Sequence, residues 1–96
     1  MAKKKDVSRF RPGQMAVSCA GHDRGKLYVI LDLEGESVLL ADGIRKTVEK
    51  PKKKNIRHVC RMNYIAPIID ARLNGNCAIS NEDILNAIQL YEQDAK

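Results

Sequence analysis

Aromatic residues are scarce in this chain of 96 residues: there is no tryptophan, one phenylalanine and three tyrosines. With 44% hydrophobic residues the chain has enough for a folded domain, and a small, mainly aliphatic core is expected. Cysteine is sparse too. Cys19, Cys60 and Cys77 are odd in number and far apart, so they imply neither a disulfide framework nor a CxxC-type zinc site, and a reducing cytoplasm fits best. Long apolar runs are also missing. The basic start MAKKKD is not followed by the roughly 7–15 apolar residues of a signal peptide, and the longest apolar stretches lie around Leu27–Leu31 and Ala66–Ile69. Neither a signal peptide nor a membrane span is expected. Length sets a further bound, because so short a chain hides only roughly 60–70% of its unfolded surface, too little for a large substrate cleft within one protomer.

Charge is what the chain does have. The net charge is +5, from 17 basic and 12 acidic side chains. Its distribution is more informative than its size: residues 1–61 hold 15 of the basic and 7 of the acidic groups, whereas residues 62–96 hold 2 and 5. A polyanion-facing first part and a differently employed remainder follow, and nucleic acid is the commonest intracellular polyanion.

Residues 1–9 are expected to form a basic, solvated tail, with structure starting at Phe10. After the Pro12-Gly13 turn, Met15, Val17 and Cys19 alternate with Gln14, Ala16 and Ser18 as in a half-buried strand. A charged loop at 20–26 precedes a second strand at 27–33, with Leu27, Val29 and Leu31 on one face and Tyr28 and Ile30 on the other. Glu34-Gly35-Glu36 predicts a hairpin turn, Ser37 to Ala41 a third strand and Asp42-Gly43 another turn. Ile44 to Glu49 is expected as a fourth strand, residues 50–54 as an exposed basic loop around Pro51, and Asn55 to Cys60 as a last strand. Ile65, Ile68, Ile69 and Leu73 then recur at helical spacing, with Pro67 in the first turn and Gly75 at the end. Ser80 caps a second helix over 81–93, whose stripe is Ile84, Leu85, Ile88 and Tyr91.

The stretch from Gly13 to Gly43 resembles the KOW motif, a strand–loop–strand unit of ribosomal proteins and transcription elongation factors. The resemblance lies in the Pro-Gly opening, the Gly21-His22-Asp23-Arg24-Gly25-Lys26 loop, the hydrophobic strand after it, and the end at Asp42-Gly43. Over about residues 6–93 the chain is similar to short bacterial KOW proteins related to a eukaryotic and archaeal large-subunit ribosomal protein family; Tyr28 departs from the small residue that many KOW sequences carry there. The resemblance implies a mainly β fold, an SH3-like barrel of KOW type over 10–61, with a helical extension over 62–96. It also implies a non-catalytic, cytoplasmic RNA-binding protein, on or near the ribosome, whose partners are ribosomal RNA and ribosomal proteins.

On this reading His22, Arg24, Gly25 and Lys26 approach phosphates, and Arg45, Lys46, Lys50, Lys52, Lys53, Lys54, Arg57 and Arg61 form a basic surface opposed by one acid, Glu49. The plainer alternatives are a solvated hairpin organised by Asp23 and a lysine run that protects a sheet edge. Tyr28 either stacks on a base or belongs to the core. Cys19 and Cys60 are read as small core residues. His58 and Cys60 lack the further ligands of a zinc site, so no metal, cofactor, catalytic set or small-molecule substrate is expected. The competing function is a protein-interaction module that docks on transcription or translation machinery through the acidic last helix.

Overall fold

A computed structural model describes residues 7–94. Five strands form one antiparallel sheet: β1 (Gln14–Ser18), β2 (Leu27–Glu34), β3 (Ser37–Ala41), β4 (Lys52–Asn55) and β5 (Val59–Ile65), in the order β4-β3-β2-β1-β5. Two helices follow, α1 (Pro67–Asn74) and α2 (Asn81–Asp94). The first three strands lie where alternation and turn residues put them. So do both helices. Pro67 opens α1, while Ser80 Oγ accepts from Asp83 N and Asp83 Oδ2 accepts from Ser80 N, a reciprocal cap at the start of α2.

The fourth strand is displaced. Residues 44–49 are not a strand, because Asp42 Oδ1 accepts from the backbone N–H groups of Ile44, Arg45 and Lys46 and winds the chain around its carboxylate. Instead the lysine run, expected as a loop, is β4 and pairs with β3 from Ser37↔Asn55 to Leu40↔Lys52. It is an edge strand, where lysine is well tolerated. A three-residue 3-10 turn, Ile56–His58, separates it from β5, which therefore starts at Val59 rather than Asn55 and continues beyond Arg61. Near the N-terminus, Val7–Arg9 form another 3-10 turn; Val7 packs against the core, and Lys3, Lys4 and Lys5 lie outside the described residues.

The central strands, β1 to β3, carry buried side chains on both faces, not one. Ala16, Tyr28, Ile30, Val38 and Leu40 join Phe10, Ile56 and Val59 in one cluster. Met15, Val29 and Ala41 point the other way, onto Ile69 of α1 and Ile84, Ala87 and Ile88 of α2. The expected partition of β2 holds, yet both of its sides are covered because the helices lie on the face that half-burial would leave to water. Gly43 shows how closely they pack: at φ +85° it approaches α2 so tightly that a Cβ would stand 2.5 Å from the Asn81 carbonyl oxygen. Cys60 is exposed and not a core residue, since on β5 it takes the face opposite to buried Val59; Cys19 is half-buried.

No ladder joins β4 to β5 among the described residues, so the sheet is open and not a closed barrel. It is nevertheless curled. Laid flat, five strands would hold their outer members ~19 Å apart. The four residue steps from Asn55 to Val59 reach at most ~14 Å even when extended, and three of those residues are wound in a 3-10 turn. Interruptions in register between Ile30 and Asp32, and between Gln14 and Ala16, supply the bend. No helix among the described residues is long and apolar enough to cross a membrane.

Candidate nucleic-acid interface

The Gly21–Lys26 loop is organised from within by one carboxylate. Asp23 accepts from the Ser18 hydroxyl at 2.8 Å, the Tyr28 hydroxyl at 2.7 Å, and the Lys52 and Lys54 ammonium groups, each at 2.9 Å. Lys54 also donates to the Ala20 carbonyl at 2.9 Å. Register explains how the lysines arrive. Lys52 and Lys54 stand opposite Leu40 and Val38 and share their inward face, so their stems run along the core and their charged ends cross to the loop. The carboxylate thus ties the β4 edge to the β1–β2 loop across the side of the sheet that no ladder closes.

Burial alone would raise the Asp23 pKa, but the bonds from Lys54, Lys52, Tyr28 and Ser18 prevail and hold it far below the usual carboxylate range. Tyr28 shifts oppositely: burial, its bond to Asp23 and the charges of Asp23 and Asp42 push its hydroxyl well above the ordinary value. With 2% of its surface exposed, Tyr28 belongs to the core and its ring is not offered to a base.

A second loop joins the first. Lys26 Nζ lies 2.6 Å from Asp42 Oδ2, and the other oxygen of that carboxylate caps the 44–46 backbone. Burial opposes ionisation here also, but Lys26 and the backbone N–H groups outweigh it and lower the pKa to about 2. Two anchored loops therefore stand side by side at one end of the sheet. Their outer side chains, His22, Arg24 and Arg45, are exposed, as is Gly25, whose surroundings are open for 4 Å around the position of a Cβ. Gly25, Lys26, Ile44 and Arg45 line one cleft against Leu85 and Glu92 of α2.

The expected basic surface divides into separate places. Lys52 and Lys54 turn inward to Asp23, and Lys53 turns outward to Glu34 at 2.8 Å. Lys46 is half-buried in the 42–46 loop, and Lys50 is exposed beyond it. Arg57 is exposed on the 3-10 turn, whose His58 carbonyl accepts from Cys19 N near the first loop. Arg61 is exposed on β5 at an edge of the sheet. Sequence reasoning also passed over Ile44, which is 67% exposed between Gly43 and Arg45. Placing residues 44–49 in a strand hid it.

The backbone N–H groups of Arg24, Gly25 and Lys26 and of residues 43–46 are engaged within the loops, so what the arrangement offers is exposed arginine side chains on loops that need little further ordering, which suits contact with anionic oxygens. No family model matches the chain, and a search of curated proteins finds no significant relative.

Proposed function

We propose that the protein is a non-catalytic RNA-binding protein of KOW type that contacts ribosomal RNA as a ribosomal or ribosome-associated component in the cytoplasm. Its fold on this reading is an SH3-like barrel left partly open, with a helical extension. Two features support the fold reading: the strand order, and the short 3-10 link that draws the two edge strands together. The functional reading is carried by the loop pair: the Lys26–Asp42 bridge holds two loops together while Arg24, Gly25 and Arg45 remain open to a ligand. Charge-assisted bonds from the arginines would hold phosphates, with Gly25 admitting the RNA backbone close to the chain.

The test is a binding titration with ribosomal RNA at physiological salt. Wild-type protein is expected to bind, and Arg24→Gln/Arg45→Gln to bind about tenfold more weakly, with a salt dependence shallower by roughly 1.5 in log–log slope. An RNA-indifferent wild type would refute the proposal. Exposed Ile44, in a cleft that α2 completes, favours protein docking as a second reading. A protein partner that stays bound after nuclease treatment, with RNA ignored, would select it.

A further inference from the structure

The Gln14 end of β1 carries a groove of about 620 Å3 that the loop pair does not use. Three of its lining residues are arginines, Arg9, Arg11 and Arg61; Gln14 and Asn63 contribute amides, and Asp70 in the first turn of α1 is its one carboxylate. None of the three guanidinium groups has an acidic partner within ion-pair distance among the described residues.

The backbone beneath them is fixed. Phe10, between Arg9 and Arg11, is 4% exposed and plugs the core, and its N–H donates to the Val7 carbonyl at 3.0 Å. Arg11 is held at both ends, its carbonyl accepting from Gln14 N at 3.1 Å and its N–H donating to Gln14 Oε1 at 3.4 Å. Arg61 comes from β5, opposite Ala16 of β1. Chain segments far apart in sequence thus present arginines to one concavity. A planar, weakly hydrated guanidinium with paired donors matches phosphate oxygens better than an ammonium does.

We propose that this groove is a second phosphate-binding site, taking the phosphodiester backbone of the same RNA that the Arg24–Arg45 face contacts. The inference rests on the RNA reading above. β1 runs roughly 14 Å from Gln14, beside the groove, to Ser18, before the first loop, so the RNA lies along the sheet and not on a single loop.

The experiment is fluorescence anisotropy of the full chain with a labelled ribosomal RNA fragment, titrated over a range of salt. Arg9→Gln/Arg11→Gln/Arg61→Gln is expected to bind at least about tenfold more weakly, with the slope shallower by about 2–3. Arg61→Gln alone should reduce the slope by somewhat under one. Thermal melts followed by circular dichroism identify any variant that does not fold, and the single exposed substitution then provides the test. Wild-type affinity and slope in the triple variant, with Arg24→Gln/Arg45→Gln weakened, would overturn the groove and leave the RNA reading standing. No RNA binding by wild-type protein would overturn both. Loss of an acidic protein partner in the triple variant, with RNA binding unchanged, would overturn the groove as an RNA site.

Discussion

Four lysines of this molecule contrast with six of its arginines, even where the two share a loop. Lys26, Lys52, Lys53 and Lys54 each meet a carboxylate at 2.9 Å or less, and three of them hold the two loops to the sheet or to each other. Arg9, Arg11, Arg24, Arg45, Arg57 and Arg61 are exposed and form no ion pair among the described residues; Arg72, which bonds Asp83, is the exception. A long flexible stem lets lysine cross an apolar surface and deliver a compact charge to a carboxylate, as Lys52 and Lys54 do. A run of three lysines is therefore a poor guide to where a polyanion binds. On β4 alternation sends two of the three inward, and the lysine strand helps to build the platform on which arginines are displayed.

The largest way to break this contrast is Asp23→Ala. It removes the shared carboxylate from two inward-facing ammonium groups and two hydroxyls, leaving Lys54 and Ser18 only the Ala20 carbonyl, and is expected to cost about 3–5 kcal/mol in urea unfolding. Arg24→Gln in the same loop should stay within about 0.5 kcal/mol of wild type. Equal effects would mean that the loop is not organised from Asp23.

Acid sharpens the contrast next. Asp42 titrates near 3.8 when unpaired and at about 2 in the fold, so its contribution is complete above the higher value and disappears as pH falls through the lower. That amounts to about 2 kcal/mol, read as a drop in unfolding midpoint over this window. Asp42→Asn should flatten the dependence there, and an unchanged acid profile in the variant would remove the Lys26–Asp42 tie from the stability of the fold. The smallest effect belongs to Lys53→Ala. Both partners of the Lys53–Glu34 pair are 57% exposed, so a loss below about 1 kcal/mol is expected, against a larger loss for Lys54→Ala with its 11% exposure. Equal losses would erase the distinction between the faces of β4.

Much of this fold was legible residue by residue. Alternation and Gly-containing turns marked β1 to β3; Pro67 marked the start of α1; and Ser80 marked that of α2. Each of these signals is local, satisfied by neighbours a few positions away. Residues 44–60 were harder to read. Ile44 to Glu49 looks like a strand until Asp42 collects three backbone N–H groups, and Lys52–Lys54 carry no hydrophobic alternation that would mark β4. In the candidate site, the loop was visible and Asp23 could be read as its organiser. The two lysines that complete it come from about thirty positions downstream, beyond the reach of periodicity. Nothing local marks Arg9 and Arg11 as fixed in place, because what anchors them is the burial of Phe10, a tertiary event.

The sequence by itself determined that the first two thirds of the chain would be basic, that strands would precede helices, and that a glycine-bounded charged loop would follow the first strand. Those are properties of composition and short-range pattern. Tertiary structure alone decided which cations are left exposed and which are paired. The β3–β4 register turns Lys52 and Lys54 inward, and the curl of the sheet brings them to Asp23. A charge in a dry setting is stable only beside its opposite, and that pairing forms only once distant strands have met.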